Sequence, residues 1–150
     1  GMILKIISAF DEGVCKLVLP MRGLLRQLTD NEEGVDNFSV ETLERILTKQ
    51  ETRIAMLWTD NEKTLVGMGM LFLRHEALKI TGFIGEVVVD EPYRRRGCAR
   101  MINECLIAKA REMGVCFIEL TSKQERAEAI ALYKSFGFIK PMTHYFRLYL

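Results

Sequence analysis

The 150-residue sequence is poor in several things, and each shortage narrows what the chain can be. Charge of one sign is not in excess: 21 Lys and Arg stand against 20 Asp and Glu, a formal net charge of +1. Such a balance leaves no overall electrostatic footprint for nucleic acid or for an anionic membrane, so any anionic ligand must be caught by a local patch. Only three prolines occur (Pro20, Pro92, Pro141), with no Pro/Gly/Ser linker, internal repeat or low-complexity tract. No apolar run approaches the length needed to span a bilayer, and Met2–Ile6 is too short to read as a signal peptide. Gly1 before Met2 reads as a tag remnant. The four cysteines, Cys15, Cys98, Cys105 and Cys116, form no C-x-x-C pair and match no zinc spacing. They read as reduced thiols, and the chain as cytoplasmic, with no metal.

What is present is a core. Hydrophobic residues make up 49% of the chain, which suits one domain over residues 2–150. The pattern predicts a strand over Leu4–Phe10, then a helical region from an Asp11 cap to about Leu28, kinked at Pro20. A polar loop follows from Thr29 to Phe38, and Ser39 caps a helix through Thr48. Arg53–Thr59, Leu65–Leu73 and Lys79–Val89 read as an antiparallel meander. A helix from about Gly97 to Met113 buries Cys98, Ile102, Cys105, Leu106 and Met113, with Lys109 a flaw in the stripe and Gly114 as its stop. Val115–Thr121 reads as a strand parallel to the third of the meander, because a helix separates them. Ser122–Glu125 forms a capping box for a last helix ending at Phe136 and Gly137. Thr143–Leu150 alternates well enough for a final strand.

The chemistry concentrates in Val87-Val88-Val89-Asp90-Glu91-Pro92-Tyr93-Arg94-Arg95-Arg96-Gly97-Cys98-Ala99-Arg100. A buried strand runs into a short loop that opens a helix. The first amides of a helix lack internal partners and carry the positive end of its dipole, so phosphates settle there. Gly97 and Ala99 are small enough to let a diphosphate approach the backbone, and three adjacent arginines add charge. The spacing is neither that of a P-loop nor that of a dinucleotide fingerprint. Taken alone, a charge run before a helix is as readily a solvated face.

A second segment adds to it. Ala129, Leu132, Tyr133, Gly137 and Phe138 follow on the last helix. The R-x-x-G-x-A spacing after Val-Val-Val-Asp, with Ala-Ile-Ala-Leu-Tyr-Lys-Ser-Phe-Gly-Phe, resembles the GNAT family of N-acetyltransferases. The element order resembles that family over the whole chain. The resemblance implies an α/β (α+β) fold with a mixed central sheet of about six or seven strands, flanking helices and a splayed pair of parallel strands. It implies acetyl-CoA as co-substrate, with the pantetheine arm along Val87, Val88 and Val89 as an added strand would lie. The pyrophosphate would rest on the amides from Arg96 to Arg100, with Arg94, Arg95 and Cys98 around it. The family often has Asn three residues before the position of Ala129; this chain has Arg126.

An alkyl ammonium must lose a proton before attacking a thioester, and Glu86 is the candidate base; its alternative is a structural or substrate-pairing role. The Val88 amide is placed to stabilise the carbonyl oxygen. Tyr133, a phenol with a reference pKa of about 10, is the candidate proton donor to the departing thiolate, by resemblance to the family tyrosine; on periodicity alone it is equally a core aromatic. Neither Cys98 nor Cys116 reads as a nucleophile. The expected activity is acetyl transfer to a primary amine of a small molecule in a ternary complex. The alternatives are an acetyl-CoA sensor without turnover, or transfer to a protein N-terminus or lysine. No nucleic-acid or membrane partner is expected, and a homodimer, common among similar proteins, stays open. Arg22 and Arg26 read as a solvated face rather than an acceptor clamp.

Overall fold

The computed structural model describes residues 1–122 and 126–150. They fall into two compact units, Gly1–Leu120 and Thr121–Leu150.

In the first unit a five-stranded sheet has the order β1-β2-β3-β4-β5. The strands are β1 (Met2–Ile7), β2 (Arg53–Thr59), β3 (Leu65–His75), β4 (Ile80–Val89) and β5 (Ile118–Glu119). The meander β2–β3–β4 is antiparallel as expected, and β5 joins β4 in parallel. Strand β1 starts and stops earlier than its composition suggests. Its register against β2 runs from Met2 opposite Thr59 to Ile7 opposite Ile54, so the partner's length sets its end and leaves Ser8–Phe10 outside. Strand β5 is much shorter than Val115–Thr121. Backbone bonds to β4 begin at Cys116, whose N–H reaches Ile80 O at 2.9 Å, but the regular ladder covers only Gly82–Ile118 and Phe83–Glu119.

Helices cover both faces, which is why the strands read as nearly continuous apolar runs. On one face Val14, Met21, Leu24, Leu43 and Leu47 pack with Ile54, Met56, Met68, Met70 and Val88. On the other, Cys98, Ile102, Leu106 and Ala110 of α5 (Cys98–Glu112) pack against Leu57, Val66, Leu71 and Val89. Two glycines of β3 permit this second contact. A Cβ on Gly69 would come within 2.8 Å of Ile102, and one on Gly67 within 3.0 Å, so helix and sheet meet where β3 has no side chain.

The N-terminal helical region differs from expectation. Asp11 does cap it, accepting from Val14 N at 3.0 Å. The break falls between α1 (Glu12–Cys15) and α2 (Val18–Leu28), ahead of Pro20. Pro20 sits in the first turn of α2, where a missing N–H costs nothing because that group has no helical acceptor. The expected polar loop Thr29–Phe38 contains a helix, α3 (Glu32–Asn37), started by Asn31, whose side chain accepts from Gly34 N. A single apolar residue, Val35, buries that turn, which is too little periodicity to read from sequence. Ser39 caps α4 (Val40–Lys49) in a reciprocal box with Thr42. Arg22 and Arg26 are structural. Arg22 donates to Phe38 O at 2.7 Å and Arg26 pairs with Asp36 at 2.7 Å, fastening α2 to the α3 segment. Along α5 the buried positions include Asn103 and Ala110, while Cys105 and Met113 are only half-buried. The Lys109 ammonium reaches Glu112 at 3.5 Å.

The second unit holds α6 (Ala127–Ser135), which closes at Gly137 with φ 96°. The Gly137 amide bonds Lys134 O and the Phe138 amide bonds Tyr133 O, the double closure that a left-handed residue permits. The Tyr133 ring meets Phe138 edge-on at 5.9 Å. Residues 123–125 of the expected capping box lie outside the described residues. No strand forms over 143–150, so the sheet has five strands and not six or seven. Among the described residues of its own unit the segment has no strand beside it, and alternation alone does not hold a chain extended when no ladder satisfies its backbone. Arg147 lies between the rings of Tyr145 and Tyr149, at 5.6 and 5.8 Å.

Candidate active site

Strand β4 carries an irregularity at its centre. Met70 faces Gly85 and Met68 faces Val88, so Gly69 alone opposes both Glu86 and Val87. This is a β-bulge, and Glu86 takes the extra place with φ 53°, a left-handed value uncommon for a side chain with a Cβ. Enough protein crowds the Glu86 carboxyl to push its pKa above the ordinary 4.5 by desolvation, although the residue as a whole is exposed. Beyond the bulge Val88 and Val89 turn into opposite cores. Within the first unit the ladder to β5 ends at Phe83, which leaves the edge of β4 from Ile84 to Val89 without ladder bonds on that side. A strand edge without a ladder offers its backbone groups to an extended ligand.

Asp90 leaves the strand, its amide bonded to Val66 O at 2.7 Å, and a 3-10 turn, Glu91–Tyr93, follows. The loop is held from an unexpected direction. Gln27, in α2, donates to Asp90 Oδ1 at 2.7 Å, while its own Oε1 accepts from Glu91 N at 2.9 Å and from Arg94 Nη2 at 3.2 Å. Arg94 Nε donates to Val89 O at 2.9 Å, so this arginine braces the foot of the loop. No pattern in the sequence marks Gln27: it stands 63 residues from Asp90, among other polar residues of an amphipathic helix.

Arg95 and Gly97 both have positive φ, 63° and 78°, and bracket Arg96, whose guanidinium lies 5.6 Å from the Tyr93 ring centre. Left-handed residues alternating with ordinary ones turn successive amides toward one point. Gly97 is the N-cap of α5, and the first helical bond runs from Met101 N to Gly97 O at 3.1 Å. The Cys98 and Ala99 amides, ahead of that bond, point out of the helix end. A Cβ on Gly97 would meet nothing within 4 Å, so the space above the amides is open. The Cys98 side chain turns the other way, into the core, with its thiol 3.5 Å from Tyr93 O. Burial raises its pKa, partly opposed by Arg96, and keeps it protonated. Arg100 lies one residue on, with Glu104 at 3.8 Å. Glu86, Val87–Val89 and the Arg94–Arg100 run therefore form one continuous strand–loop–helix feature. Arg126 and Tyr133 belong to the second unit, where Arg126 precedes α6 and burial raises the Tyr133 phenol against a smaller opposing effect of Arg126. Among the described residues no group of three His, Cys, Asp or Glu is placed to hold a metal ion, and no helix is long and apolar enough to cross a membrane.

The family model described as Acetyltransferase (GNAT) family matches residues 21–138. The chain belongs to the GNAT acetyltransferase family. Among curated proteins this GNAT chain is similar to N-alpha-acetyltransferase 30 of Saccharomyces cerevisiae, 34% identical over 76 residues, 51% of the chain and 43% of the relative. It is also similar to the ribosomal protein bS18-alanine N-acetyltransferase of Salmonella typhimurium, 42% identical over 52 residues, 35% of each. The chain thus matches less than half the length of these relatives. Among solved structures, the aminoglycoside N-acetyltransferase AAC(6')-Iy in complex with CoA superposes with a TM-score of 0.79 at 16% identity, over 99% of this chain and 95% of that one. The expected fold is therefore the observed one, apart from the strand count.

Proposed function

We propose that the protein transfers the acetyl group of acetyl-CoA to a primary amine of a small molecule, by direct attack within a ternary complex, residues 2–150 acting as one catalytic domain. The observation that carries this is the opening of α5 at Gly97 directly beyond the half of β4 whose far edge has no ladder to β5. A diphosphate on outward amides and an extended arm along a free strand edge are what coenzyme A requires, and few other ligands combine the two. The CoA complex of a structure sharing the fold supports the same cofactor.

In this reading the Cys98 and Ala99 amides take the pyrophosphate, with Arg95, Arg96 and Arg100 supplying charge. Arg94 acts by holding the loop. The backbone from Val87 to Val89 aligns the arm, and the Val88 amide stabilises the oxygen as it becomes negative. Glu86, its carboxyl raised by desolvation, takes the proton from the acceptor ammonium. The amine nitrogen bonds the acetyl carbon and loses its second proton to solvent, the carbon–sulfur bond breaks, and Tyr133 donates to the departing thiolate. Its raised pKa keeps the phenol protonated at neutral pH. Arg126 is the proposed polar contact of the second unit to the cofactor. Thiol release from acetyl-CoA with a panel of amines tests the reading; CoA binding without turnover of any amine would leave a sensor instead.

The names of the two curated relatives favour a second acceptor, the α-amine of a polypeptide N-terminus. Peptides in the same panel separate it from small amines.

A further inference from the structure

Within the first unit the helices do not fully cover the α2 and α4 face of the sheet beyond β3. Gly82 is directed at Leu71 and Ile118, on the α5 side, so its neighbour Phe83 faces the other way, and its parallel partner Glu119 shares that face. Phe83 is 38% exposed there, beside Phe72 with ring centres 6.5 Å apart and planes inclined by 38°. Gly85 makes this shelf possible. A Cβ on it would lie 3.1 Å from Phe72 and 3.3 Å from Phe83, so the two rings occupy the space its side chain would take. The next residue is Glu86, on the bulge.

Phe72 also lines a cavity of about 420 Å³ between residues 48–51, at the end of α4, and residues 72–75, at the end of β3. That volume is within the range of small-molecule sites, roughly 300–1,000 Å³. Its charges are unsuited to a second ammonium. Lys49 and Arg74 bring positive charge, Arg74 with Glu76 at 3.5 Å outside the lining, and the one carboxylate of the lining, Glu51, is already engaged by His75 at 2.8 Å. Glu86 adjoins Gly85, Gly85 lies against both rings, and Phe72 lines the cavity.

We infer that the Phe72–Phe83 shelf and the adjoining cavity select the acceptor, taking monoamines whose nitrogen is carried next to an aromatic or branched apolar group and turning away polycations. This rests on the amine-acetylation reading, since it is the proposed base Glu86 that places the nitrogen beside the shelf. An apolar body on the rings is held by area and by ring–ring contact. A polyamine laid over the same residues would bring its second charge to Lys49 and Arg74.

Titration calorimetry on the CoA-saturated protein tests the inference without needing turnover. 2-Phenylethylamine is expected to bind at least tenfold more tightly than ethylamine or spermidine. Phe83→Ala should cost about tenfold for 2-phenylethylamine and leave ethylamine unchanged, with Phe83→Leu retaining most of the affinity. Because Phe83 is partly exposed, circular dichroism should show both variants folded. Lys49→Glu combined with Arg74→Glu should raise spermidine affinity about tenfold. Spermidine binding better than 2-phenylethylamine, or Phe83→Ala leaving 2-phenylethylamine untouched, overturns the inference. Tight 2-phenylethylamine binding without thiol release would instead uphold the selective shelf and refute the transfer reading.

Discussion

Gly97→Ala separates a glycine needed for ligand approach from one needed only to begin a helix. Gly97 has φ 78°, and a Cβ built on it meets no atom within 4 Å. The folded protein therefore suffers no clash, only the left-handed conformation of a residue with a Cβ, about 1–2 kcal/mol. For a chain of this length that lowers Tm by about 2–4 °C per kcal/mol. Gly114 supplies an internal control at the other end of the same helix. Its φ is 76°, and its added Cβ also meets nothing within 4 Å. Gly114→Ala should cost the same stability within a few tenths of a kcal/mol.

The two variants should part on CoA affinity. At Gly97 the new methyl enters the space above the outward amides of Cys98 and Ala99. Lengthening hydrogen bonds to a charged phosphate there should cost at least about tenfold in Kd, or about 1.4 kcal/mol. At Gly114 affinity should not change. Thermal melts of both variants, with CoA titrations read by calorimetry, give the four numbers. Equal loss of stability with unchanged CoA affinity in Gly97→Ala would refute the proposal that the diphosphate sits on this helix end.

Further outcomes follow from the same geometry. Gln27→Ala removes three hydrogen bonds around Asp90, Glu91 and Arg94, so it should lower stability by about 1–2 kcal/mol and speed amide exchange at Glu91; unchanged exchange would show the loop holding itself. Glu86→Gln should lower kcat by about 100-fold or more if the carboxylate is the base. Its effect on stability has a definite sign: the native carboxyl is raised above its ordinary 4.5, so the charged form costs stability above that value, and the variant should be the more stable at neutral pH and equal to wild type below about pH 3. Tyr133→Phe should slow transfer by about 100-fold with CoA affinity nearly intact, read by single-turnover thiol release. Asn103 is fully buried on α5; its amide donates to Ala99 O at 2.8 Å, but its Oδ1 has no partner among the described residues, so Asn103→Leu, which removes an unsatisfied buried acceptor and leaves Ala99 O its helical bond, should raise Tm by an amount corresponding to about 1 kcal/mol or less.

What the sequence disclosed and what it hid divide along the range of the interactions involved. The Ser39 cap and the Gly97–Gly114 limits of α5 are set by contacts within a few residues; the meander and the parallel crossover pair residues farther apart, but their turns and the intervening helix are local, and each left its mark in composition or periodicity. The α3 turn rests on one cap and one buried valine, a signal too short to stand out from polar loop. The final strand failed for the opposite reason: residues 143–150 have the right alternation, but a strand needs a neighbour, and alternation does not say whether one is present. The site shows the same division more sharply. Gly97 was legible because a diphosphate cradle needs a residue without bulk there, whereas its positive φ is visible only in the structure. Glu86 was legible as a carboxyl on a central strand, but not as a left-handed residue on a bulge, because the extra residue exists only relative to the register of β3. Gln27 was not legible at all, since nothing within 60 residues of it needs a carboxamide. That loop, the most recognisable motif in the chain, is thus held in shape by a side chain outside the motif. A variant at Gln27 should accordingly act on cofactor binding through the geometry of the loop alone, with the arginine charge left in place.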